Sequence, residues 1–80
     1  MGLEEIEGMR AEIKGIIIDI KKLKDAEELN PRKALDSVEK VKRKYDILVK
    51  EKGKAYCIKN CPDIPIGINK ILDVLTEYQS

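Results

Sequence analysis

The sequence predicts an all-α fold: an antiparallel three-helix bundle, or a long helical hairpin with a short third helix, held by coiled-coil-like packing. Three observations carry this. Apolar residues recur at alternating spacings of three and four. Phe and Trp are absent while Lys, Glu, Ile and Leu dominate, the usage of long helices and not of sheets. Prolines fall only at 31, 62 and 65, where they punctuate the periodic segments.

The first helix is expected over about residues 3–24, where Ile6, Met9, Ile13, Ile16, Ile20 and Leu23 form one seam. The polar stretch DAEELN ends it, and Asn30-Pro31 supplies an N-cap followed by proline at the first helical position. Helix 2 therefore starts at 31, with Ala34, Leu35, Val38, Val41, Tyr45, Leu48 and Val49 in phase. Asp36/Lys40, Glu39/Arg43 and Asp46/Lys50 are spaced as i,i+4 pairs with the acid first, the favourable order on an exposed helix face. Two ends are open for this helix, Gly53 or a point near Asn60, because Ala55 and Tyr56 stay roughly in phase beyond the glycine. Pro62 and Pro65 forbid a continuous helix through CPDIP, so the chain reverses there. A third helix follows over about 65–78, with Ile68, Ile71, Leu72, Leu75 and Tyr78 on one face and Ile64 behind it. All of this makes one domain over residues 1–80. A core in a chain this short rarely supplies more than ~3–5 kcal/mol, so association or regular packing is expected to help.

The side chains also limit the chemistry. There is no His, and the conventional nucleophiles reduce to Ser37, Thr76, Ser80, Cys57 and Cys61, none with an imidazole to activate it. An enzyme is not expected. The longest aliphatic run is Ile16-Ile17-Ile18, far short of the ~20 residues of a membrane span, and no signal segment opens the chain. A cytoplasmic protein is the expectation, with a Lys-, Glu- and Ile-rich, Gln-poor composition of the thermophile kind.

Helix 1 carries a second stripe opposite its seam: Gly8, Ala11, Gly15 and Ile18. Each glycine inside a helix costs about 1 kcal/mol relative to alanine, so close packing by something else is expected to offset it. Arg10, Lys14 and Lys21 occupy one flank of the stripe, and Glu5, Glu12 and Asp19 the other. This sorting suggests an antiparallel copy of the same helix as the partner, hence a homo-oligomer that also docks another protein.

Charge is uneven along the chain. Residues 1–31 hold five basic and eight acidic side chains, residues 32–59 ten and four, and residues 60–80 one and three. The basic middle helix, with Lys40, Arg43, Lys44 and Lys50, is the alternative candidate, a nucleic-acid-binding surface driven by counterion release. Against it stand a net charge of only +1 and the lack of any helix-turn-helix, finger or stacking-aromatic motif.

Cys57 and Cys61 are the other candidate. Three intervening residues rule out a C-x-x-C redox pair, and two thiols fall short of the four ligands of structural zinc. Zinc becomes possible only if the pair meets its copy across two subunits, an arrangement that resembles the zinc hook at the tip of a long coiled coil, without the hook's spacing. Otherwise the thiols are a disulfide or redox pair, or small buried apolar groups.

Overall fold

The computed structural model describes residues 2–79, and the surroundings of side chains 3–78. The chain is all-α, with four helices and no strand among the described residues: α1 (Gly2–Asp25), α2 (Pro31–Lys52), α3 (Lys54–Asn60) and α4 (Asp63–Gln79).

Each end has a local cause. Asn30 caps α2 by accepting hydrogen bonds at Oδ1 from the Arg32 and Lys33 amides, at 3.1 and 3.4 Å, with Pro31 in the first turn. The end of α1 is a Schellman closure. The Glu28 amide reaches the Leu23 carbonyl at 2.8 Å and the Glu27 amide reaches Lys24 at 3.1 Å, which sets Glu27 at φ 58°. Glycine is the usual residue at that position.

Helix 2 stops at Lys52 with Gly53 as its C-cap, the first of the two expected ends, and a separate short helix follows it. Gly53, at φ 91° and ψ 154°, closes α2 through its amide to Val49 at 2.8 Å. The same residue starts α3, its carbonyl accepting from the Cys57 amide at 3.3 Å. Only glycine adopts that backbone readily, so the chain turns a corner and helicity resumes to Asn60. Helix 4 begins two residues before Pro65, because a first-turn amide has no intrahelical partner to lose.

The core draws on every helix. From α1 come Ile6, Met9, Ile13 and Ile20; from α2, Val38, Val41 and Leu48; from α3 and its cap, Cys57 and Cys61; from α4, Ile64, Ile68, Ile71 and Leu75. Leu29, inside the polar turn, is buried as well. Two expected members sit further out: Leu23 and Tyr78 are exposed at the ends of their helices.

Helix 2 touches the other three, and α1 also touches α4. Lys44 meets Glu12, and Leu29 and Lys33 line a groove with Asp19 and Leu23, so α2 runs opposite to α1. Asp63 meets Arg10, Gly67 meets Ile13, and Val74 lines a groove with Lys24, so α4 runs alongside α1 in the same direction. At Gly67 a Cβ would stand 3.0 Å from Ile13 Cγ2, the closest approach any glycine makes among those described.

Two backbone substitutions separate these causes. Glu27→Gly should stabilise the fold by about 0.5–1 kcal/mol by relieving a left-handed non-glycine residue. Gly53→Ala should destabilise it by about 1–3 kcal/mol through backbone strain alone, since a Cβ there meets nothing within 4 Å. Urea midpoints at constant m-value test both, and equal shifts of the same sign would refute the assignment.

Candidate functional site

The outward face of α1 is built from residues that the core does not use. Gly8, Ala11, Gly15 and Ile18 are all exposed, Ile18 at 48%. A Cβ added at Gly8 or Gly15 would meet nothing within 4 Å, so no part of the chain itself exploits either glycine. The apolar surface extends onto α2: Ile47, 57% exposed, lines a shallow groove with Gly8 and Met9. Sequence reasoning missed Ile47. Its only signal was an isoleucine lying off the α2 stripe.

The two flanks of this face look toward different neighbours. Glu5 and Glu12 border α2, where the Lys44 ammonium reaches Glu12. Arg10 turns toward α4: its guanidinium donates to both Asp63 oxygens at 2.9 and 3.1 Å, to the Asn60 carbonyl at 3.2 Å and to Glu7 at 2.6 Å. It thereby ties α1 to the α3–α4 junction. The Arg10 hydrogen bonds hold the Asp63 carboxyl below the usual carboxylate range.

The antiparallel partner suggested by the charge sorting fails on symmetry. A two-fold axis perpendicular to α1 returns each flank to the same side, so basic would meet basic and acidic would meet acidic. Opposite signs come together only when the axis runs along α1 and the two copies are parallel.

The basic residues of α2 lie on its solvent-facing side, opposite Val38, Val41 and Leu48. Lys40, Arg43, Lys44 and Lys50 are all exposed, but Lys44 is committed to Glu12, and Lys40 lines the α1–α2 groove beside Gly15 and Ser37. None of the i,i+4 pairs Asp36/Lys40, Glu39/Arg43 and Asp46/Lys50 closes to ion-pair distance; among the described residues the lysine of α2 that pairs does so across helices. Exposed side chains keep their hydration and rotamer freedom, and a surface pair is worth little against that.

Cys57 and Cys61 are free and buried at 0% exposure. Cys57 lies in α3, and Cys61 caps that helix, its amide bonding the Cys57 carbonyl at 2.9 Å. Burial pushes the Cys61 thiol up, and the neighbouring Cys57 adds to the shift. Burial likewise raises the Tyr45 hydroxyl, with the two thiols adding to the shift. Thiols sealed in this way do not present themselves to a second subunit, so the intersubunit zinc arrangement does not fit their placement. No cluster of three or more His, Cys, Asp or Glu with metal-binding geometry exists among the described residues. Of the remaining nucleophiles, the Ser37 hydroxyl donates to the Lys33 carbonyl at 3.3 Å and Thr76 to Leu72 at 2.9 Å. Both are helix back-bonds. Ser80 lies outside the described residues. Among the described residues no helix is long and apolar enough to cross a membrane.

No protein-family model matches the chain, and neither does any curated protein or solved structure.

Two pH limbs follow. Asp63 has a depressed native pKa, so its contribution is complete above the unfolded value of about 3.9 and is lost as pH falls through the native one. Urea unfolding across the acid range should therefore show a steeper loss for the wild type than for Asp63→Asn. Cys61 has a raised native pKa, so its contribution is complete below the unfolded value of about 8.5 and is lost as pH rises toward the native one. Cys61→Ala should flatten that alkaline loss, and in the wild type both thiols should react with a disulfide reagent only at the rate of unfolding. Fast stoichiometric labelling of the native protein would refute their burial.

Proposed function

We propose that this chain is a small non-enzymatic assembly module: a helical bundle with coiled-coil-like packing that associates with its own copy through the outward face of α1 and docks another protein. The observation that supports it is Ile18, 48% exposed, on one face with Gly8 and Gly15, against which nothing in the chain packs. Two interior glycines weaken α1 by about 1 kcal/mol each, and within one copy nothing offsets that. Against a second backbone they permit close approach.

The copies run parallel. Gly8, Ala11, Gly15 and Ile18 then face themselves across the two-fold axis, and Lys14 and Lys21 of one copy face the flank of Glu5 and Asp19 in the other. No catalytic role is assigned to any residue, and the cytoplasm is the compartment that suits two free thiols.

Native mass spectrometry over a concentration series should show a dimer that Ile18→Lys reduces to monomer without loss of helicity. In a Cys57→Ala/Cys61→Ala background, Gly8→Cys should cross-link to its own copy on oxidation. An antiparallel pair centred on the stripe would hold those two positions about 15 Å apart along the axis. A monomer at every concentration would reject self-association.

A further inference from the structure

The pair formed by α1 and α4 has two sides. Helix 2 fills one of them. On the other, a groove of about 320 Å³ runs between the helices, floored by Ile20 and Ile71, which are buried, and walled by Ile17 and Val74, of which Ile17 is 40% exposed. Its rim carries Lys21, Lys24 and Lys70 and no carboxylate. None of these lysines is in an ion pair among the described residues.

From this we propose that the α1–α4 groove is a docking site for an amphipathic helix of another protein, one whose apolar stripe is flanked by Asp and Glu. Helix α2 already packs onto the same two neighbours from the opposite side, so the open side offers a second groove of the same kind. Ile17 and Val74 stand where such a helix would place residues at i, i+3 or i+4, and i+7.

The charge argument selects the partner. The α1–α2 groove is rimmed by both signs, with Glu5, Glu12 and Glu51 around Lys44, whereas the α1–α4 groove is rimmed by one. Lys24, in the last turn of α1, also suits the negative end of that helix, but Lys21 and Lys70 lie outside any such last turn. Lysine stems lie along an apolar floor and hold their ammonium groups at its edge, where carboxylates on both sides of an incoming stripe meet them. The occupant class follows from this one-signed rim around an apolar floor. The inference names the partner chemistry for the docking half of the proposed function and does not require self-association.

The probe is a synthetic helical peptide with leucines at i, i+3, i+4 and i+7 flanked by glutamates, labelled for fluorescence anisotropy. Its control has every glutamate replaced by lysine. Saturable binding of the acidic peptide, at least about tenfold tighter than the control and weakened by salt, is expected, with amide shifts confined to Ile17, Lys21, Lys70 and Val74. The double reversal Lys21→Glu/Lys70→Glu should exchange the two affinities while leaving the circular dichroism of the free protein unchanged. A polar wall, Ile17→Asp, should abolish binding of both. Equal binding of both peptides, shifts centred on Gly8 and Ile47, or no saturation would overturn the proposal. So would attachment to vesicles of anionic lipid without peptide binding, which would assign the groove to a membrane surface. Subunit number, read on the same samples, reports separately on self-association.

Discussion

The packing of α2 against both α1 and α4 through one narrow apolar stripe, Val38, Val41 and Leu48, is the contact that the remaining architecture depends on. An 80-residue chain has enough apolar surface for a single layer, and that layer has to be shared. Helix 2 shares it by touching every other helix. The seam of α1 and the inner face of α4 both close on it, and among the described residues no polar or charged side chain is buried. Whatever apolar surface lies beyond that layer is left facing outward, which is why the outer face of α1 and the far side of the α1–α4 pair are the places to look for partners.

The lower end of the molecule follows from two small constraints. Gly53 turns the chain by a backbone conformation closed to other residues, so α3 leaves α2 at a corner and brings Cys57 and Cys61 beneath the core. Arg10 then reaches from α1 to the Asn60 carbonyl and to Asp63, fastening the end of one helix and the start of the next. Both thiols are fully buried and behave as small apolar groups, and burial raises the cost of ionising Cys61.

The helices were legible because their apolar residues must share one face, and periodicity records that requirement directly. What escaped the sequence was set by distance relations it does not record. Leu29 sits among polar neighbours in a turn, yet it is buried because the Schellman closure folds the turn back over α1. Gly67 lies unremarked in α4, yet it is the glycine that admits Ile13 across an interface, while the more conspicuous Gly8 and Gly15 admit nothing within the chain. Asp36, Glu39 and Asp46 have the spacing of intrahelical pairs, but spacing only permits a pair, and hydration competes with it. For the candidate surface, the stripe on α1 was readable from a helical wheel; its extension onto Ile47 and the one-signed rim of the other groove required two helices to be placed side by side.

The two proposed uses of α1 are not independent. A parallel pair sets Lys21 of one copy opposite the acidic flank of the other, and the docked helix asks for the same ammonium from the groove side. One lysine cannot satisfy both fully, since its charge is stabilised once by whichever carboxylate is nearer. Linkage then makes the effect mutual: to whatever extent self-association draws Lys21 away from the groove, it weakens docking, and docking weakens self-association by the same factor. Lys70 and Lys24 escape this conflict, one because it lies on α4 and the other because it is a turn further along α1. In the proposed parallel dimer the groove would therefore keep Lys70 and Lys24 for an acidic partner and share Lys21. A single helix with two differently charged flanks would in this way set the two proposed binding events in competition, with the sign of the coupling following from the placement of one side chain.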